Sequence, residues 1–190
     1  MGTLFLVATP IGNLRDMTER GRAVLAEVGL IAAEDTRRTR TLLSHFGIAT
    51  RLVSYHEHNE RSRRDEVLTA LASGDVALVS DAGTPGISDP GNDIVNAAVA
   101  AGHAIVPVPG PSALIAAVSM SGLVDGPFVA LGFLPRKGPE RRLRLGRATA
   151  TGFPLAIFEA PTRLEELLRE LALLLGDRPA VVCRELTKLH

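Results

Sequence analysis

The sequence predicts an α/β protein of two domains, the first of which contains a mostly parallel sheet. Short apolar runs bounded by glycine and proline alternate with amphipathic stretches along most of the 190 residues, and this alternation is typical of β-α units around a parallel sheet. A turn-rich stretch at residues 121–127 separates this pattern from a second, shorter one. We therefore expect a first domain over residues 1–121 and a second over residues 122–190.

The first domain is predicted to contain five strands, each of which leads into a helix. The strands are apolar runs, and the helices have apolar residues at helical spacing and often end at glycine. Thr18 and Thr36 are the expected N-caps of the first two helices. We expect strands at residues 4–8, 30–33, 52–55, 76–79 and 104–108, and helices at residues 18–28, 36–46, 59–73, 94–101 and from 113 through 118.

The second domain is predicted to be thin and incomplete. Strands are expected at residues 128–133, 155–158 and 180–184, with a basic helical stretch after the first and a leucine-rich helix over residues 164–175 after the second. No further element follows the third strand to cover that sheet, which suggests a truncated domain. The single cysteine, Cys183, lies in the third strand and is expected in the core.

Composition and charge narrow the class of protein. The chain is 46% hydrophobic and 22% charged, as in soluble globular proteins. It lacks both a signal-peptide pattern and an apolar run of ~20 residues, so we expect a cytoplasmic protein. The net charge is zero, yet six basic residues and one acid occupy residues 136–147. Charge alone leaves open whether this stretch binds a polyanion or is a solvated helix face.

The most informative segment is the loop at residues 80–91, which follows the predicted strand at residues 76–79. It contains three glycines and two prolines, which fix an unusual backbone path. In open α/β sheets, ligands bind beyond the carboxyl ends of the strands. The sequence therefore predicts a small-ligand site here.

Three other strand ends are predicted to converge on the same crevice. Residues 9–13 permit close backbone approach but do not match G-x-G-x-x-G, which disfavours a dinucleotide site. Residues 34–37 supply polar side chains, and residues 109–112 lie at a helix N-terminus suited to an anion or carboxylate. Together these loops indicate one composite ligand site.

The ordered motifs resemble the ribosomal RNA small subunit methyltransferase I family, which belongs to the tetrapyrrole methylase superfamily (class III methyltransferases). The loop at residues 80–91 and the Pro-Gly-Pro-Ser segment identify the superfamily, whereas Glu-Asp-Thr-Arg and Arg-Glu-Leu-Thr-Lys select the ribosomal RNA branch. The motifs are residues 9–14 (Thr-Pro-Ile-Gly-Asn-Leu), 34–37 (Glu-Asp-Thr-Arg), 80–86 (Ser-Asp-Ala-Gly-Thr-Pro-Gly), 109–113 (Pro-Gly-Pro-Ser-Ala), 132–135 (Gly-Phe-Leu-Pro) and 184–188 (Arg-Glu-Leu-Thr-Lys).

The resemblance implies S-adenosylmethionine as cofactor, held in the cleft between the two α/β domains. It further implies 2′-O-methylation of a cytidine ribose in the decoding centre of 16S ribosomal RNA, and a homodimer. Phe158 and Glu159 would contact the cofactor from the second domain. From the first domain the cofactor-binding residues would be Pro10, Asp81, Gly83, Thr84, Ile87, Ser112 and Ala113.

The candidate catalytic residues are Asp35 and Arg37. A ribose hydroxyl is a poor nucleophile, so its proton must be removed or its oxygen held ~3–3.5 Å from the methyl carbon. Asp35 is the candidate base or orienting group, and Arg37 the candidate ligand of the adjacent phosphate. Asp35 has a second interpretation, as a helix cap or arginine partner. His56 and His58 are alternative bases or surface histidines, and their spacing gives no metal site.

An RNA substrate also gives the basic stretch a role. Each phosphate that it neutralises adds a sequence-independent increment of affinity. Two other functions stay open: a superfamily methyltransferase acting on a tetrapyrrole or protein side chain, and a non-catalytic RNA-binding fragment. The candidate RNA-binding residues are Arg136, Lys137, Arg141, Arg142 and Arg144.

Overall fold

A computed structural model describes residues 1–89 and 91–188, which form two compact units. Among the described residues, the first unit contains those up to Ala113 together with Thr187 and Lys188, and the second contains Leu114–Leu186. The division falls after Ala113, the first residue of the helix that follows residue 112, whereas the sequence places the boundary after that helix. That helix is rich in small apolar residues, so its pattern alone does not indicate which unit it joins.

The first unit is built on a five-stranded parallel sheet with strand order β3-β2-β4-β1-β5. Strands β2 and β4 are buried along their whole length, as the interior strands of a parallel sheet covered on both faces must be. The predicted fold class, α/β with a mostly parallel first sheet, is confirmed. The strands are β1 (Thr3–Val7), β2 (Leu30–Ala33), β3 (Leu52–Ser54), β4 (Val76–Val79) and β5 (Ala104–Val108).

Two helices cover each face of this sheet. The helices are α1 (Glu19–Glu27), α2 (Thr36–His45), α3 (Glu60–Ser73) and α4 (Asn92–Ala100). One core cluster contains Leu71 of α3 and Ile94 of α4, and the other contains Leu25 of α1 and Leu43 of α2. Because each helix buries an apolar stripe against the sheet, all four are fixed in direction, and so are the loops that precede them.

One of the two predicted N-caps is confirmed and the other is wrong. Thr18 caps α1 as expected, since its hydroxyl accepts the Gly21 N–H at 3.0 Å. The N-cap of α2 is Asp35 and not Thr36, because the Asp35 carboxylate accepts the Arg37 N–H at 2.8 Å. Both residue types cap helices well, so sequence alone did not separate the two neighbouring positions.

The second unit pairs two parallel strands with flanking helices. Its small core includes Leu134, Leu145 and Leu167. None of the helices in the described part of the chain has the length and apolar character needed to cross a membrane. The elements are α5 (Ala113–Ser121), β6 (Val129–Phe133), α6 (Pro139–Thr149), β7 (Leu155–Phe158) and α7 (Leu164–Leu175).

The predicted third strand of this unit is wrong. Residues 180–184 are irregular, and Val181 and Val182 are 49% and 55% exposed. Cys183, expected in the core, is half-buried. An apolar run forms a strand only where a neighbouring strand accepts its backbone hydrogen bonds and its faces are covered. In the described part of the second unit, only β6 and β7 pair in this way.

Candidate functional site

The order of the strands brings the four predicted loops together at one edge of the sheet. All five strands are parallel, and β2, β4, β1 and β5 are successive neighbours. Their carboxyl ends therefore lie side by side, and the loop that follows each strand borders the loop of the next. The predicted convergence follows from this topology, and specific hydrogen bonds join these loops to one another.

The loops after β1 and β4 are joined through Thr9 and Gly83. The N–H of each residue donates to the carbonyl of the other at 2.9 Å, and the Thr9 hydroxyl donates to the Ser80 carbonyl at 3.0 Å. Gly83 has φ of +90°, a conformation that costs a residue with a Cβ about 1–2 kcal/mol. Thr9 and Ser80 are both almost fully buried, so these hydrogen bonds are shielded from water.

The loop after β4 also contacts the loop after β5. The Thr84 hydroxyl donates to the Pro111 carbonyl at 3.3 Å. A Cβ added to Gly83 would stand 3.5 Å from Cγ2 of Ile11 and 3.7 Å from the Pro111 oxygen. Gly83 therefore lies between the first and last loops, and together these contacts hold three loops in one arrangement.

The loops after β2 and β4 are joined through carboxylates. The Asp35 N–H donates to Oδ1 of Asp81 at 3.0 Å, and the Asp81 N–H donates to Oε2 of Glu34 at 3.2 Å. Arg38 pairs with the other Asp81 oxygen at 3.2 Å. Asp81 thus links two loops and one arginine.

The two candidate catalytic residues bind each other. Arg37 donates to the Asp35 carboxylate through Nε at 3.2 Å and through Nη2 at 3.0 Å. These bonds lower the pKa of Asp35 to about 2. A carboxylate with so low a pKa is a weak proton acceptor at neutral pH. Its surroundings correspond to the second interpretation of Asp35, that of a helix cap and arginine partner.

A crevice of about 300 Å³ opens between the first loop, α2 and the start of the loop after β4. Arg38 and His45 line it, and neither was predicted as a site residue. A sequence signal for them exists, because Arg38, Thr41, Leu42 and His45 recur at the spacing of one helix face. The other residues along the crevice are Thr9, Pro10, Gly12, Leu14, Thr39, Ser80 and Asp81.

The last predicted motif ends against the first loop. A Cβ added to Gly12 would stand 2.9 Å from Cγ of Lys188 and 3.0 Å from the Thr187 hydroxyl oxygen. The end of the Arg-Glu-Leu-Thr-Lys motif therefore belongs to the first unit, although its start belongs to the second. Sequence reasoning assigned the whole motif to the second domain.

The predicted cofactor residues of the second unit lie at the carboxyl end of β7. The rings of Phe158 and Phe133 are 5.4 Å apart between centroids. The side chain of Glu159 is only 4% exposed, and its carboxylate binds the Ala160 N–H at 2.8 Å and the Arg163 guanidinium. Glu159 is thus a buried, arginine-paired carboxylate.

The predicted RNA-binding residues divide into two groups. Arg136, Lys137, Arg142 and Arg144 lie at the surface, and Arg144 pairs with Glu140 on the same helix at 2.6 Å. Arg141 is instead 7% exposed and bound by carboxylates within the second unit. A guanidinium buried in this way does not reach a phosphate in solution, so Arg141 is not a candidate for the RNA surface.

Comparisons with known proteins place the chain in a family. Residues 3–190 match the family of tetrapyrrole (corrin/porphyrin) methylases. The chain is 53% identical to a ribosomal RNA small subunit methyltransferase I of Xylella fastidiosa, over 99% of this chain and 70% of that protein. The chain belongs to the ribosomal RNA small subunit methyltransferase I family of tetrapyrrole methylases. Its identity to the same-named protein of Halalkalibacterium halodurans is 49%, over 100% of this chain and 66% of that protein, so it spans about two thirds of their length.

Solved structures share the fold of this chain at low sequence identity. A uroporphyrin-III C-methyltransferase of Thermus thermophilus, solved with S-adenosyl homocysteine, matches with a TM-score of 0.65 at 21% identity, over 93% of this chain and 78% of that one. Diphthine synthase matches with a TM-score of 0.68 at 17% identity, over 90% of this chain and 73% of that one. The tetrapyrrole methylase fold predicted from the motifs is confirmed.

The loop after β4 contains a carboxyl group with a raised pKa. Burial raises the pKa of Asp89 to about 6, and the charges of Glu34 and Asp81 act in the same direction against a hydrogen bond to Ser80. The folded protein therefore binds this proton more tightly than the unfolded chain, in which the pKa of the carboxyl is near 3.8. The free energy of unfolding must fall as the pH rises from 3.8 to about 6.

Replacement of Asp89 by asparagine is expected to stabilise the protein at neutral pH. Asparagine keeps the shape and removes the charge, so we expect a gain on the order of 1 kcal/mol at pH 7.5, reduced by partial solvent screening, and almost none near pH 4. Denaturant unfolding of the original and the Asp89→Asn protein at both pH values measures this difference in the free energy of unfolding. Asp177→Asn, at an exposed carboxyl, is the control and should show no such difference. Equal effects of Asp89→Asn at both pH values would contradict the assignment.

Proposed function

We propose that this protein transfers a methyl group from S-adenosylmethionine to the 2′-oxygen of a cytidine ribose in the decoding centre of 16S ribosomal RNA. The observation that carries the proposal is the junction of loops at the carboxyl edge of the sheet. There Thr9, Gly83 and Thr84 unite three loops by hydrogen bonds of 2.9 to 3.3 Å. The names of the relatives, which are ribosomal RNA methyltransferases at about half identity, support an RNA substrate.

The residues at this edge fit the proposed cofactor. S-adenosylmethionine supplies an activated methyl group on a positively charged sulfonium, whose charge disperses as the methyl leaves. Neutral backbone groups and hydroxyls suit such a group better than a ring of carboxylates, and glycine at positions 83 and 86, with φ of +90° and +80°, leaves the backbone accessible. The proposed ligands are Pro10, Asp81, Gly83, Thr84, Ile87, Ser112 and Ala113 of the first unit and Phe158 and Glu159 of the second.

Asp35 and Arg37 are proposed to position the substrate and not to transfer a proton. With its pKa near 2, Asp35 stays ionised and fixes the Arg37 guanidinium through two hydrogen bonds. The Arg37 side chain is 88% exposed and retains donors for the phosphate beside the target ribose. Rate enhancement then rests on holding the hydroxyl in line with the methyl carbon.

The basic residues at the surface of the second unit are proposed to contact RNA phosphates. They are Arg136, Lys137, Arg142 and Arg144, and their number favours a sequence-independent electrostatic contribution to binding. Aromatic residues make up only 4% of the chain, so stacking on splayed bases contributes little and shape recognition of a folded RNA site is favoured. The homodimer and the cytoplasmic location stay predictions.

A transfer assay with labelled S-adenosylmethionine tests the function. The chain is offered assembled small ribosomal subunits, free 16S RNA and a tetrapyrrole such as uroporphyrinogen III. We expect label in the RNA, at a nucleotide whose 3′ phosphodiester resists alkali, because a 2′-O-methyl group blocks the attacking hydroxyl. Label in the tetrapyrrole alone would overturn the proposal. RNA binding without any binding of S-adenosylmethionine would indicate the non-catalytic RNA-binding alternative.

A further inference from the structure

Arg141 is a buried cation of the second unit. It lies on α6 among exposed basic residues, yet its own side chain is 8% exposed. It shares the inward face of the helix with Leu145 and Ala148, at the spacing i, i+4 and i+7. The sequence places Arg141 within a basic stretch, and the helical period turns it away from that surface.

The guanidinium of Arg141 connects α6 to three other elements. Its Nε donates to Oε2 of Glu170 on α7 at 2.8 Å, and Nη2 lies 2.7 Å from the same oxygen. Its Nη1 donates to the Pro135 carbonyl, just after β6, at 3.0 Å. The same nitrogen lies 3.8 Å from Oε2 of Glu159, just after β7. One side chain therefore holds the loops at the carboxyl ends of both strands of this sheet.

Glu159 depends on this arrangement. Its carboxylate is 4% exposed, and it pairs with the cations Arg141 and Arg163. Loss of one partner from a buried ion pair leaves a charge that the remaining contacts do not balance. We therefore expect loss of Arg141 to displace the Glu159 side chain toward solvent, and with it the adjacent Phe158, whose ring packs on Phe133.

We propose that Arg141 is a positioning residue that fixes the loops after β6 and β7, and with them Phe158 and Glu159, in the arrangement that binds S-adenosylmethionine. This inference rests on the proposed function, which assigns those two residues to the cofactor. Arg141 itself is not among the residues proposed to contact the cofactor or the RNA. Its fork geometry is essential to the role, because one guanidinium reaches a carbonyl and two carboxylates at once, whereas an ammonium is a single point of charge.

The test compares the affinity for S-adenosylmethionine, by titration calorimetry, across variants of the 190-residue chain. We expect Arg141→Met to raise the dissociation constant at least tenfold and Arg141→Lys to raise it less. The matched control is Arg147→Met, at an exposed arginine of the same helix, which should leave the constant unchanged. If Arg141→Met does not fold, Glu170→Gln removes one partner and should raise the constant two- to fivefold.

The outcomes separate the two proposals. Cofactor affinity unchanged in Arg141→Met, with only the unfolding midpoint lowered, would mean a merely structural role and overturn the inference. A reduced salt dependence of RNA binding in Arg141→Met, with unchanged cofactor affinity, would also overturn the inference. It would show that Arg141 contacts RNA phosphates and does not position the cofactor loops. Absence of binding by the unaltered chain would overturn the proposed function and the inference together.

Discussion

Replacement of Gly83 by alanine is expected to lower the affinity for S-adenosylmethionine at least tenfold, the equivalent of about 1.4 kcal/mol. The backbone at this position has φ of +90°, which alanine adopts only with strain of about 1–2 kcal/mol. Relief of that strain rotates the two peptide groups that pair with Thr9 at 2.9 Å. The adjacent Thr84, which donates to the Pro111 carbonyl, moves with them, so one added methyl group disturbs three loops.

Gly47→Ala provides the matched control for Gly83→Ala. Gly47 also has positive φ, +68°, and a Cβ there meets no atom within 4 Å. Both variants should therefore lose about 1 kcal/mol of stability in denaturant unfolding, and only Gly83→Ala should lose cofactor affinity in calorimetry. Equal affinities in the two variants would show that the junction between the loops after β1 and β4 does not shape the cofactor site.

The fold of the first unit was predictable because its signals are local. Strands β2, β4 and β5 coincide with the predicted residues 30–33, 76–79 and 104–108. Each is an apolar run between a helix end and a turn, and the two interior strands, β2 and β4, are buried throughout, as this pattern predicts. The convergence of four loops was predictable too, because it requires only that the strands be parallel and adjacent.

The hydrogen bonds that hold the site residues in place were less predictable, because they join residues far apart in the chain. Asp81 and Asp35 are separated by 46 positions, and no local pattern reports their hydrogen bond. The same is true of Arg141 and Glu170, which are 29 positions apart. A basic stretch indicates that charges are present, but only the helix phase and the partner elements decide which of them face solvent.

The strand predicted at residues 180–184 marks another limit of sequence patterns. Its valines have the β-branched character of a strand, yet Val181 and Val182 are about half exposed and the segment is irregular. β-propensity describes how a side chain fits a pleated, covered surface. A high β-propensity therefore does not produce a strand where, among the described residues, no neighbouring strand lies beside the segment.

The double replacement Arg142→Ala and Arg144→Ala is expected to weaken binding to 16S ribosomal RNA about tenfold near 0.15 M salt. Both side chains are exposed on α6, and removal of one phosphate contact lowers the slope of log affinity against log salt by about 0.7–0.9. The slope should therefore fall by about 1.5 when both arginines are replaced. The Arg144 replacement also leaves Glu140, whose carboxylate lies 2.6 Å from the Arg144 guanidinium, as an uncompensated negative charge facing the RNA.

Arg169→Ala is the matched control for the RNA surface. Arg169 is 77% exposed and pairs with Glu165 one helical turn away at 2.6 Å, so it reproduces the ion pair of Arg144 on α7. Its replacement should leave the salt slope unchanged, and neither variant should alter the affinity for S-adenosylmethionine. If the Arg142 and Arg144 replacements left the slope at its original value, α6 would lie outside the RNA contact. A fall in log affinity for Arg169→Ala about half as large as that of the double variant would point to general electrostatic attraction in place of a defined surface, because net charge alone then sets the affinity and the control removes one positive charge where the double variant removes two.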